Sequence, residues 1–166
     1  MMFREELIRR VEQYVSGKGS ALDKQLGSGV HGTVFAVQNQ TEPGRSAVKG
    51  YEQEAHYRRE RDVYLRLHEL AISEVRGCAV PEMVEFDDAL WVIEMTIVTR
   101  PFVLDFAGAH LDQPPEFPEE AWADWRADKA EQFGDKWPEV QAILRELESY
   151  GIYMEDVSPG NISFAD

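Results

Sequence analysis

Lysine and arginine are scarce: 17 of them stand against 31 aspartates and glutamates, a formal net charge of −14. Gripping a nucleic-acid backbone depends on clustered cations that neutralise phosphates, so no nucleic-acid partner is expected. Cysteine is nearly missing. Cys78 stands alone, which excludes an internal disulfide and a cysteine metal cluster and leaves a small buried hydrophobe as its reading. No apolar run approaches the roughly 20 residues of a membrane span, and the charged start from Met1 to Arg10 has no signal-peptide core. No membrane partner is therefore expected, and the expected location is cytoplasmic. Internal repeats and low-complexity tracts are also absent.

What remains is ordinary globular composition, 43% hydrophobic and 29% charged over 166 residues, enough for one domain with a core. Phe3, Leu7, Val11, Tyr14 and Val15 share a face of an opening helix over 3–15. Residues 33–37 and 46–49 read as strands joined by turn chemistry at 39–44. A helix over 52–70 follows, with Tyr57, Val63, Tyr64, Leu67 and Leu70 on one side. Residues 83–86 and 90–98 form a second strand pair about Asp87-Asp88. Beyond the proline-interrupted connector 113–118 the pattern turns helical. Trp122, Trp125 and Phe133 supply one buried face, and Val140, Ile143, Leu144, Leu147 and Tyr150 mark a helix over 138–150 stopped by Gly151.

Three stretches carry chemistry. In Gly27-Ser28-Gly29-Val30-His31-Gly32-Thr33-Val34 the glycines let backbone amides approach phosphate oxygens. A dinucleotide fingerprint would need a helix next, but 33–37 reads as a strand. A glycine-rich hairpin without a ligand is the other reading. His31, at the tip, is expected to be solvated. Ala47-Val48-Lys49 is strand-like, so Ala47 and Lys49 share one face and Val48 the other. A lysine among apolar neighbours needs an anion, and the helix over 52–70 offers Glu54, Glu60, Asp62 and Glu69. Glu60 lies beside the apolar face, three residues before Val63, and is the expected partner; a solvated charge among Arg58, Arg59, Arg61 and Asp62 is the alternative. The third stretch runs from Tyr150-Gly151-Ile152 through Asp156-Val157-Ser158-Pro159-Gly160-Asn161.

These motifs, in this order, resemble the protein-kinase-like superfamily, and Asp-x-Ser-Pro-x-Asn is closest to its atypical, RIO-type and small-molecule members. The resemblance implies an α+β fold with an antiparallel-sheet N-lobe over about 1–98 and a truncated helical C-lobe over about 99–166. It implies ATP and Mg2+ as cofactors. Gly27, Ser28, Gly29, Val30, Gly32, Val34, Ala47 and Lys49 would line the nucleotide site, with Glu94 and Thr96 in the strand entering the hinge and Ile93 at its rear. Asp156 would accept the hydroxyl proton, assisted by Lys49 and Glu60, and Asn161 would be the metal ligand. The implied function is a minimal kinase phosphorylating a protein Ser/Thr or a small-molecule hydroxyl. The alternatives are a pseudokinase that binds ATP as a regulatory or scaffolding module, and a kinase fragment. A homodimer or partner protein would cover the shortened lobe.

The departures from the family matter as much. Met154 and Glu155 occupy the positions of the family's His and Arg. The metal-binding Asp-Phe-Gly segment that follows the catalytic loop in the family has no counterpart after Asn161. Asp105-Phe106-Ala107-Gly108 has similar letters but precedes the loop, so by chain order it is set aside. Asp166, five residues past Asn161, would lie about 16 Å away along an extended strand and cannot share its metal.

Overall fold

A computed structural model describes residues 2–29, 31–38 and 45–165. Met1, Val30, the expected turn residues 39–44 and Asp166 lie outside the described residues. The architecture is α+β, a five-stranded antiparallel sheet with smaller sheets and helices packed around it. Helix α1 (Met2–Gly17) leads into β1 (Ala21–Ser28), β2 (Gly32–Gln38) and β3 (Arg45–Tyr51). Then come α2 (Glu54–Glu69), the two-residue strands β4 (Glu74–Val75) and β5 (Cys78–Ala79), β6 (Met83–Asp87) and β7 (Val92–Thr96). The large sheet has the order β1-β2-β3-β7-β6, so β3 lies at its centre.

The two faces of that sheet are covered differently. Alternation along β3 sends Val48 to one side, where it joins Val92, Phe35 and Val37 against Leu7, Val11, Tyr14 and Val15 of α1. Phe3, one turn earlier, remains 64% exposed. Ala47, Tyr51, Ile93 and Met95 face the other way into a larger core with Tyr57, Val63, Tyr64 and Leu67 of α2. A Cβ built on Gly50 would stand 2.5 Å from Val11 Cγ2 and 2.9 Å from Leu7 Cδ2, so α1 seats on the sheet only because Gly50 has no side chain. Gly50→Ala is expected to cost about 1–3 kcal/mol in urea unfolding, the usual penalty of overpacking. An unchanged midpoint would mean that α1 does not pack there.

The second half is built from short pieces. Strands β8 (Phe102–Val103) and β9 (His110–Leu111) precede α3 (Glu119–Phe133), a single 3-10 turn at 134–136, α4 (Trp137–Ser149), β10 (Ile152–Tyr153) and β11 (Ile162–Ser163). Helix α4 inserts Val140, Ile143 and Leu147 into the larger core, which therefore continues from the sheet to the segment around Asp156. On α3 only Phe133 is buried; Trp122 and Trp125 are half-buried, stacked edge-on in a row that continues to Trp137. Trp125 and Trp137 rest against the edge of the larger core while Trp122 meets Phe117 and Trp125, so this face of α3 is half-buried rather than buried. No helix among the described residues is long and apolar enough to cross a membrane.

Candidate functional site

Strand pairing decides which distant residues meet. β8 runs antiparallel to β11 (Val103 opposite Ile162), and β9 runs antiparallel to β10 (Leu111 opposite Ile152). The segment 102–111 and the segment 152–163 are thus two strand–loop–strand units laid side by side. One loop carries Asp105, and the other carries Asp156 and Asn161. The Leu104 N–H donates to the Asn161 carbonyl at 2.7 Å, which sets Asp105 next to Asn161. The Asn161 amide nitrogen donates to the Asp156 carbonyl at 3.2 Å, and a Cβ on Gly108 would lie 3.7 Å from Asp156 Cβ.

Above these loops stands Lys49. Its Nζ lies 2.7 Å from Glu60 Oε1 and 3.3 Å from Asp105 Oδ1. Lys49 is 7% exposed and Glu60 0%, so the ion pair is a buried one. Burial works against the lysine's charge, but the carboxylates of Glu60 and Asp105 outweigh it and hold the pKa above its ordinary value. Glu60 is satisfied on every side: the Tyr51 hydroxyl donates to one oxygen and the Phe106 N–H to the other at 2.5 Å. Burial and the Glu60 carboxylate push the Tyr51 hydroxyl far above its usual pKa, so Tyr51 stays a donor.

Asp105 is held as firmly. Its φ of 66° lies in the left-handed region, sparsely used by residues other than glycine though tolerated by aspartate. Phe106 is fully buried, edge-on to Tyr64 with centroids 5.6 Å apart, and anchors the segment under α2. The carboxylate is 24% exposed on its side chain while touching Lys49. Chain order had set this residue aside. The structure returns it to the centre of the site because strands of two residues each, too short to show any periodicity, fold 102–111 back against 152–163.

The glycine hairpin roofs this cluster. The Gly29 N–H donates to the Gly32 carbonyl at 2.9 Å, closing the turn, and Val34 stands opposite Lys49 on β3. A Cβ on Gly32 would sit 2.4 Å from the Gly50 carbonyl, so Gly32 is demanded by close strand packing. A Cβ on Gly27 or Gly29 would meet nothing within 4 Å, and the Ser28 hydroxyl accepts from Arg4 at 3.5 Å. Ala47 and Lys49 share one face of β3, with Val34 packed beside them.

Two expected hinge residues are placed elsewhere. Glu94 and Thr96 are paired in the sheet interior, Glu94 between Val48 and Glu85 and Thr96 with Ser46 and Glu82, so their backbone groups are not free for a ligand edge. The Glu94 side chain points toward α1, where it accepts from the Tyr14 hydroxyl at 2.8 Å, Lys18 Nζ at 2.8 Å and Ser46 Oγ at 2.7 Å. It is an internal tether of α1. Strand β7 ends at Thr96, two residues short of the expected 98, which leaves 97–100 as the exit from β7. Burial raises the Glu94 pKa, but the three donors more than reverse this and hold it below the ordinary carboxylate value. A depressed folded-state pKa means that the contribution is present above the unfolded value, about 4.3, and is lost as pH falls through the folded one. Urea unfolding across that range is expected to show Glu94→Gln less stable than the parent near neutrality and equal to it in acid. A gap that persists in acid would contradict the tether.

His31 was expected in solvent; it is half-buried against His56 of α2, with ring centroids 4.0 Å apart. Met154, at the family's histidine position, is buried in the core beside Ile152 and Val157, and Glu155 accepts or shares a hydrogen bond with His110 Nε2 at 3.0 Å. That contact ties β9 to the loop that carries Asp156.

No family model matches the chain, and no curated protein or solved structure does either.

The oxygen donors suit a hard divalent cation. Asp105 offers a partly open carboxylate, and the bond from Asn161 to Asp156 uses the amide nitrogen and leaves its oxygen for a ligand. No group of three or more His, Cys, Asp or Glu among the described residues forms a metal cluster by itself, so any such ion would take its remaining ligands from substrate and water.

Proposed function

We propose that the chain is an ATP-dependent phosphotransferase of kinase-like build in which the order of two segments is permuted. One observation carries this reading: Lys49 sits between Glu60 and Asp105, while the segment bearing Asp105 is hydrogen-bonded to Asn161, and Asn161 to Asp156. In the superfamily that the motifs resemble, the metal-binding carboxylate follows the catalytic loop. Here the candidate precedes Asp156 by 51 residues. The pairing of β8 with β11 and of β9 with β10 supports its standing in the same place despite that order.

In this reading Lys49 neutralises charge on the nucleotide's inner phosphates, and Glu60 fixes the lysine's position. Val34 and Ala47 lie against the base. Asp105 and Asn161 would hold Mg2+, which would supply charge stabilisation to the transferring phosphoryl group. Asp156, exposed at the mouth of its loop, takes the proton of an acceptor hydroxyl as that oxygen attacks the terminal phosphorus and ADP leaves. The acceptor is a protein Ser/Thr or a small hydroxylated molecule.

The direct test is ADP release from ATP in the presence of Mg2+ with pooled hydroxyl acceptors, together with thermal shift by ATP with and without the metal. Magnesium-dependent stabilisation with turnover supports the transferase. Stabilisation without turnover in any acceptor pool supports a regulatory nucleotide-binding module instead. Neither signal would remove both.

A further inference from the structure

Between α3, α4 and β10 lies a cavity of about 410 Å³, and none of the residues lining it belongs to the nucleotide cleft. Trp122, Trp125, Trp137 and Tyr153 make its walls, closed by Leu144 and Met154. Mostly aromatic walls with a few polar groups, around a volume of this size, are the makings of a small-molecule site.

The angles between the walls say what shape of group fits. Trp122 stands at 84° to Trp125, and Trp125 at 67° to Trp137, with centroids 5.8 Å and 6.2 Å apart. Rings set this way make corners rather than the coplanar platform on which a sugar ring or a base lies flat. A compact group in such a corner touches two ring faces at once, and the faces, carrying the negative side of the aromatic quadrupole, attract a cation. Lys129, which is not part of the lining, lies with Nζ 5.9 Å over the Trp125 ring, so that indole already draws one.

Charge points the same way. Helices α3 and α4 together carry eight carboxylates against three cations, a surface that gathers positive ligands. Of the two arginines on the lining, Arg126 is paired with Glu119 at 2.6 Å. The Glu148 carboxylate, also on the lining, has no hydrogen bond or ion pair among the described residues. Arg145 eases its charge without pairing with it, and shielding by the cavity wall still holds the Glu148 pKa above its ordinary value. One carboxylate among aromatic rings is too few oxygens for a metal ion, so the cation is organic.

We propose that this cavity binds an alkylated ammonium group, seated in the indole corners with its charge toward Glu148. Titration of the full chain with tetramethylammonium, followed by the indole N–H resonances in proton–nitrogen correlation spectra, tests it, with tert-butanol and glucose as neutral controls. Trp122, Trp125 and Trp137 should shift, and Trp91, the fourth tryptophan, should not. The cation is expected to bind about tenfold more tightly than tert-butanol. Glu148→Gln, at an exposed position, should remove most of that preference, and Trp122→Leu should weaken the cation about tenfold, with thermal unfolding as the check that both variants fold. Equal affinity for tetramethylammonium and tert-butanol, tighter binding of glucose, or no shift at the three lining indoles would each overturn the site. An unchanged preference in folded Glu148→Gln would overturn the part given to that carboxylate. The parent comparison decides the charge selection even where a variant fails to fold.

Discussion

Lys49→Met is expected to destabilise the protein by about 3–5 kcal/mol and to weaken ATP binding about a hundredfold. The two effects have different origins. Stability falls because Glu60, fully buried, loses its cation while keeping only the Tyr51 hydroxyl and the Phe106 N–H. Binding falls because no other ammonium among the described residues faces the cleft between Glu60 and Asp105. A second substitution separates them. Lys49→Met with Glu60→Gln removes the stranded charge, so most of the stability should return in urea unfolding while ATP affinity stays lost. Recovery of both would mean that Lys49 serves the fold alone, and recovery of neither would mean that Asp105, left facing an apolar methionine, dominates the penalty.

The other large effect belongs to Asp105. Asp105→Asn is expected to lower turnover about 10²–10³-fold, the scale on which one electrostatic group at a reacting centre is measured. Asparagine suits the test because it also tolerates a φ near 66° and can still accept from the Ala107 N–H, which Asp105 Oδ1 receives at 3.3 Å. The substitution therefore removes charge with little change of shape. It should also flatten the dependence of ATP affinity on Mg2+. Asp156→Asn should abolish turnover and leave that magnesium dependence intact, because the proposed role of Asp156 is on the acceptor. Matching profiles for the two variants would contradict the division of roles.

How much of this was written in the chain depends on the range over which a pattern can be read. Lys49 and Glu60 were legible because a seven-residue strand and a sixteen-residue helix each show their period, and the period says which side chains go inward. The α1 face, β6 with β7 and the α4 stripe were legible for the same reason. Asp105 was not. The strands that carry it to the site have two residues each, and their partners lie more than 40 residues away, so only long-range pairing reveals them. Reasoning from chain order set aside a residue that the fold brings against Lys49, since strand pairing can preserve a contact that order does not announce. Glu94 failed differently. Its strand was read correctly, but which face a buried glutamate takes depends on Tyr14 of α1 and on Lys18 just past its end, 80 and 76 residues earlier. His31 likewise met a partner, His56, that no local pattern announces.

A crystal of the chain grown with Mn2+ and a non-hydrolysable ATP analogue bears most directly on whether one cleft gathers these residues. Anomalous scattering from manganese should mark an ion touching both Asp105 and Asn161, with the analogue's inner phosphates against Lys49. Manganese bound away from Asp105, or an analogue seated outside the glycine hairpin, would contradict the permuted site.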